Sequence, residues 1–215
     1  YSNRGLEQAV GGALPDEGEI AAAFDANGNR KTLQPGQSMH WSAGRRLRQV
    51  DQVNRKNAAD DCERYVYDGM GQRKRKVRLV QQAGAAQTHE TRYLPELEIR
   101  SRPDETLHVI SVQAGRCRVE VLHWSSKGPT ANQYHYNFSN HLGSSMLVLD
   151  HQCRIISEEN YFPYGGTSWW AGPDLIRARY KTRRYAGQER DATGLYYYGQ
   201  RFYAPWLMRW ISPDP

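Results

Sequence analysis

The sequence predicts an all-β protein built from consecutive antiparallel β-hairpins, and three observations lead there. The first is composition: the 215 residues include 14 tyrosines and are 11% aromatic, yet only 39% are hydrophobic and mean hydropathy is −0.83. Tyrosine suits half-buried sheet positions, where its ring packs and its hydroxyl stays wet. Second, a degenerate unit recurs: an aromatic, then Asp, Ser or Asn, then small or turn residues including Gly, then a basic residue. Third, the segments that follow these units alternate with the period of two that a strand imposes.

The elements follow in chain order. Gly18–Phe24 is the one short helical segment, too brief to shape the fold. Phe24-Asp25-Ala26-Asn27-Gly28-Asn29-Arg30 is the first copy of the unit, and its Asn27-Gly28 pair signals a type I′ turn. Trp41-Ser42-Ala43-Gly44-Arg45-Arg46 is a second copy, and Tyr65-Val66-Tyr67-Asp68-Gly69-Met70-Gly71-Gln72-Arg73 the cleanest. The acid or amide can close each turn through backbone N–H groups while Gly supplies positive φ. Arg73–Leu79 then returns as a strand, with alternation placing Arg73, Arg75 and Val77 on one face and Lys74, Lys76 and Arg78 on the other. Further strands are expected at Leu107–Val112 with Arg118–Trp124, Ser145–Leu149 with Arg154–Ser157, and Leu195–Tyr203. Looser copies of the unit fall at Tyr136–Gly143 and Tyr161–Gly165.

Charge and special residues narrow the function classes. Twenty-nine Lys+Arg against 23 Asp+Glu give +6, mild for a nucleic-acid binder of this size. The basic strand Arg73–Arg78 reads as a solvated strand protected against edge aggregation rather than as a nucleic-acid surface. No apolar run approaches the length of a spanning helix, so no direct membrane insertion is expected. Cys62, Cys117 and Cys153 show no CxxC pairing, and the seven histidines form no HxxxH or HExxH. Neither a metal nor a nucleotide cofactor is suggested. Tyr1-Ser2-Asn3-Arg4 lacks a basic region followed by an apolar stretch, so no signal peptide is visible in this sequence, and the chain reads as a segment of something longer. Trp169 and Trp170 beside Gly172-Pro173 suit either a carbohydrate platform or, preferably, a packed loop.

These units resemble the YD repeats of Rhs-type proteins. The stretch Arg184-Tyr185-Ala186-Gly187-Gln188-Glu189-Arg190-Asp191-Ala192-Thr193-Gly194-Leu195-Tyr196-Tyr197-Tyr198-Gly199, continued by Arg201-Phe202-Tyr203-Ala204-Pro205-Trp206 and Arg209–Pro215, looks like the Rhs repeat-associated core motif. Leu33–Gln37, Arg92–Glu98, Val121–Trp124, His141–Ser145 and Tyr164–Thr167 resemble the TccC-like C components of bacterial ABC insecticidal toxin complexes. The resemblance implies a repeat strip over 1–180 and the start of the core motif over 181–215. It implies a curved strip of a hollow Rhs shell, completed by the B component and coupled through it to the A translocation component. The cargo would be the protein's own C-terminal toxic segment, and the setting a secreted or extracellular toxin complex. A wall wetted on two faces also accounts for the low apolar content, its stability resting on many cross-strand aromatic pairs of roughly 0.2–1 kcal/mol each.

The same resemblance implies one intramolecular aspartic self-cleavage, with Asp191 and Asp214 as the catalytic pair and Arg184 and Arg190 in support. Two carboxyls that meet can share a proton, one acting as base toward water and one as acid. If Leu195–Tyr203 runs out and Arg209–Ile211 returns, these two would meet at one end. Read without the family, Asp191 closes a turn and Asp214 caps a Pro-flanked end, while Arg184 and Arg190 stack on Tyr185, Tyr196 or Tyr197. The family's core continues beyond the Asp-Pro pair, so the acids are expected here without the peptide they would cut. Two other readings stand beside this one: the shell of a type VI secretion Rhs effector, and a surface adhesion module whose Tyr/Trp-rich strip binds glycans or proteins.

Overall fold

One five-residue turn, used repeatedly, sets the architecture. At Asp68–Gln72 the Asp68 N–H donates to the Gln72 carbonyl and the Gly71 N–H to the Asp68 carbonyl. Asp68 Oδ1 accepts from the amides of Met70 and Gln72, and Gly71 sits at φ +79°. The left-handed fourth position is where glycine is easiest. The same closure recurs at Asp25–Asn29, Asn140–Ser144 and Asp150–Arg154, each held by its own side-chain oxygen. At the last, Cys153 adopts φ +59° without being glycine. The Asn27-Gly28 signal therefore resolves differently from expectation. Among the described residues only Gly28 of that pair has positive φ, whereas type I′ needs both. The Asp25 carboxylate, by holding the Asn27 and Asn29 amides, selects the longer turn instead.

The structure, a computed structural model, describes residues 4–8, 12–56, 59–82, 85–173 and 175–214. A short helix α1 (Glu17–Ala22), capped by Asp16, precedes the sheet. Twelve strands then run in chain order as an open antiparallel meander. The first six are β1 (Met39–Trp41), β2 (Leu47–Val53), β3 (Asp61–Tyr67), β4 (Arg73–Gln82), β5 (Ala85–Leu94) and β6 (Leu97–Arg102). The rest are β7 (Glu105–Ala114), β8 (Cys117–Ser126), β9 (Gln133–Ser139), β10 (Ser145–Leu149), β11 (Ile155–Tyr161) and β12 (Thr167–Ala171). The chain is all-β, as the sequence predicts, and forms a curved strip. No described helix is long and apolar enough to cross a membrane.

A second layer lies on one face of this sheet. After a helical turn α2 (Leu175–Ala178) come β13 (Glu189–Arg190), β14 (Tyr196–Tyr197), β15 (Phe202–Ala204) and β16 (Arg209–Trp210), a small antiparallel sheet of its own. The expected single strand Leu195–Tyr203 is in fact two, because Tyr198–Arg201 reverses the chain with Gly199 at φ +79°. Leu195, Phe202, Ala204 and Ile211 from this layer share one core with Leu33, Leu47, Val50 and Tyr65 from the strip. Leu195, Leu47 and Val50 are fully buried, each worth about 1.5–3 kcal/mol relative to exposure. A second cluster packs Trp124 edge-on to Tyr180 over Leu107, Val109 and Leu122. The strip's inner face therefore depends on the second layer for its burial.

Strand β4 also departs from simple alternation. Val66 opposes Arg75 but Tyr67 opposes Arg73, so Lys74 is the extra residue of a bulge. That one-residue slip turns Arg73 and Lys76 to the same, inner face, where their side chains are 1% and 13% exposed. They are not the solvated charges that strict alternation suggests.

Candidate functional site

Asp191 opens a turn of the recurring type, its N–H bonded to the Leu195 carbonyl and its own carbonyl accepting from Gly194. In the turns at Asp25, Asp68 and Asp150 the acid's side chain holds the turn amides. Here that task passes in part to Thr193, whose Oγ1 accepts from the Leu195 amide. The Asp191 carboxylate is thereby free to cross to the strip. Its Oδ2 accepts from Arg73 Nη1 at 2.7 Å and its Oδ1 from Lys76 Nζ at 2.7 Å.

Glu189, two residues earlier, completes the cluster. Arg73 Nη2 and Lys76 Nζ each donate to it at 2.5 Å, and Tyr93 OH donates at 2.8 Å. The Arg73 guanidinium carbon stands 4.1 Å from the Tyr197 ring centroid and 4.9 Å from that of Tyr93. Alternation from Glu189 on β13 to Asp191 at the start of the turn puts both acids on one face, and the β4 bulge delivers both cations to it. Buried charges of this kind are tolerable only when paired and hydrogen-bonded.

The electrostatics follow from counting. Burial works to raise the Glu189 carboxyl, but Lys76 and Arg73 outweigh it and hold that carboxyl well below the ordinary range. Burial likewise opposes the charge on Lys76, and Asp191 and Glu189 overcome it. Two cations thus serve two carboxylates, and a third acid is surplus. That acid is Glu63, fully buried on β3 with Tyr65 OH donating to it at 2.8 Å. Burial first, and then the Asp191 charge, push it up to about 7.

The other sequence-predicted site residues lie elsewhere. Arg184 Nη1 pairs with Glu159 at 2.6 Å, a carboxylate that also takes Lys181 Nζ at 3.0 Å. It orients an acid, but neither Asp191 nor Asp214. Arg190 lies 6.0 Å from the Tyr196 ring centroid, the stacking that the sequence suggested. Asp214 is 81% exposed and 3.2 Å from Arg201 Nη2, whose guanidinium covers Trp210 at 4.2 Å. Asp191 lines a cavity of about 630 Å³ between the two layers. Asp214 lines a separate one of about 900 Å³ with Arg201 and Trp210. Each acid has cationic partners, and among the described residues they do not contact one another. Sequence reasoning missed Arg73, Lys76, Tyr93 and Glu189 as one unit, and Arg201 as the neighbour of Asp214. The only signal available was the pair of acids two residues apart in the motif, which predicts a shared face without naming what it meets.

No protein-family model matches the chain. Individual proteins do. Toxin subunit YenC2 of Yersinia entomophaga is 44% identical over 223 residues, an alignment that covers all of this chain and 23% of that subunit. YenC1 of the same organism is 41% identical with the same coverage. The crystal structure of TcdB2–TccC3 matches 93% of this chain with a TM-score of 0.89 and 48% identity, over 10% of the other chain. The chain belongs with the TccC-like Rhs proteins. This TccC-like segment spans about a quarter of the length of those Yersinia subunits. A Photorhabdus luminescens Tc holotoxin pore matches equally well, with a TM-score of 0.89. The salivary gland surface protein 1 of Aedes aegypti shares a shorter stretch, 37% identical over 39% of this chain.

Proposed function

We propose that this TccC-like segment is a panel in the wall of a toxin-complex shell that encloses the effector carried by the longer protein. The supporting observation is the cross-layer ion cluster. It fastens the core motif to one face of a sheet whose outer strands, β1 and β12, each pair with a single strand among the described residues, the far edge of β1 making one further backbone bond, from the Met39 N–H to the Lys31 carbonyl. Unpaired edges call for neighbouring strands to finish them, and the wider shell with its B component would supply these. The A component would then engage the finished shell, in a secreted complex.

On this reading the core motif also contributes a single self-cleavage that frees the effector. Asp214 is the acid open to a passing chain, next to Arg201. Asp191 keeps the motif seated through Arg73 and Lys76, and Arg184 and Arg190 hold its flanks. The test is to co-express the full-length chain with its B component and image the product. An enclosed particle containing a separated C-terminal segment is expected. Full-length protein that forms no closed particle with B, or that releases its C-terminal segment normally when Asp191 and Asp214 are both changed to Asn, would overturn the corresponding part.

A further inference from the structure

A cavity of about 450 Å³ opens where the β7–β8 and β9–β10 turns meet the core motif. Its lining contains three arginines, Arg116, Arg118 and Arg183, together with His141, and neither a carboxylate nor an apolar side chain. Its other side chains are neutral amides and hydroxyls, which both donate and accept, so the wall carries positive charge and no negative charge. Arg116 is exposed, with no ion pair or hydrogen bond among the described residues. Arg183 Nε is buried without a partner among the described residues, while its Nη2 reaches Glu98 at 3.3 Å and its Nη1 the Gly187 carbonyl at 3.4 Å.

A second observation is independent of charge. Ser145 is 4% exposed, lines the same cavity, and its Oγ is buried with no hydrogen-bond partner among the described residues. Its backbone is fully engaged: the N–H donates to the Arg184 carbonyl, and the carbonyl accepts from Tyr161 OH and Lys181 Nζ. A buried hydroxyl without a partner is costly and marks a missing acceptor. At the cavity edge Gly187, at φ +68°, lies so close to Gly143 that a Cβ would meet the Gly143 carbonyl oxygen at 3.2 Å. Glycine there lets the two turns touch backbone to backbone, fixing the arginines relative to the serine.

The local charge defines what fits. Glu98 and Glu120 offset charge on Arg100, Arg118 and Arg183, and with Arg116 included two positive charges stay unmatched. A dianion with several acceptor oxygens answers both the charge and the donors, and guanidinium groups suit phosphate geometry in particular. The volume falls in the range of small-molecule sites. We propose that this cavity is a binding site for a small phosphate monoester, seated on Arg116 and Arg183 with Ser145 Oγ donating to it.

The test is calorimetric titration of the full-length chain, in its assembled form, with AMP, inorganic phosphate and adenosine. AMP and phosphate should bind and adenosine should not, with affinity falling as salt rises. Arg116→Ala and Ser145→Ala should each weaken AMP binding roughly ten-fold without lowering the unfolding midpoint of the unliganded protein. Arg92→Ala, which removes an exposed cation paired with Glu90 on β5, should leave binding intact. Absence of binding by both phosphate compounds would overturn the proposal. So would binding indifferent to Arg116→Ala and Ser145→Ala, or equal binding of adenosine.

Discussion

Arg73 and Tyr197, 124 residues apart, meet twice: the Arg73 amide donates to the Tyr197 hydroxyl at 3.0 Å, and the Arg73 guanidinium carbon stands 4.1 Å from the ring centroid. One residue of the strip thus holds the core motif by backbone, by stacking and by charge. Replacing it exposes how much the second layer depends on the first. Arg73→Met keeps the length but leaves Glu189 and Asp191 with Lys76 alone. Removing one partner from a buried ion pair costs about 3–5 kcal/mol, so a large fall in the denaturant midpoint is expected. Arg73→Lys should recover only part of it, since an ammonium neither forks to two acids nor stacks as a plane.

Glu63 gives the cluster a pH dependence of definite sign. Its folded pKa, about 7, is raised above the ordinary carboxylate value of 4.5. Its contribution is therefore complete below about 4.5 and is lost as pH rises through 7. Stability should decline over that window in the native protein, and Glu63→Gln should flatten the decline. Glu189 has the opposite sign, its pKa being lowered, so its contribution fades only on the acid side. Chemical denaturation at several pH values from 5 to 8, compared between the native chain and Glu63→Gln, isolates the Glu63 share. Parallel curves would remove Glu63 from the account.

The hairpin order was legible because each turn carries its own local chemistry. Asp68, Asn140 and their left-handed glycines announce the same closure wherever they occur, and the intervening alternation fills in the strands. What could not be read depends on registry between distant segments. The β4 bulge at Lys74 moves Arg73 onto the face of Lys76, and nothing in the alternation of Arg73–Leu79 marks it. The pairing of Arg73 and Lys76 with Glu189 and Asp191 spans more than a hundred residues and needs the folded second layer to exist. Asp191 illustrates the limit well. Its sequence context says turn, which its backbone obeys, while its carboxylate serves another layer.

Two glycines separate backbone strain from steric fit. Gly36 and Gly165 both adopt positive φ, +80° and +89°. A Cβ on Gly36 would meet nothing within 4 Å, but on Gly165 it would lie 2.7 Å from the Tyr185 ring. Gly36→Ala should cost about 1–2 kcal/mol, the backbone contribution alone. Gly165→Ala should cost more, because Tyr185 also contacts Tyr161 and Tyr196 and cannot retreat freely. Equal unfolding midpoints for the two variants would show that the Tyr185 contact yields without cost.

The two acids of the motif should part company when each is changed alone in the full-length chain. Asp214→Asn alters an exposed side chain, so stability should stay within about 0.5 kcal/mol while self-cleavage stops. Asp191→Asn keeps the shape but leaves Arg73 and Lys76 with one carboxylate. The loss is cushioned, because Asp191 is one reason that Glu63 sits near 7. With that charge gone Glu63 ionises more readily and takes over part of the balance. Asp191→Asn should therefore lower the unfolding midpoint, slow cleavage, and shift the pH window of Glu63 downward together. Adding Glu63→Gln to it should deepen the destabilisation beyond the sum of the single changes at pH 8. Simple additivity there, read from a double-mutant cycle by denaturation, would mean that Glu63 and Asp191 do not share the two cations.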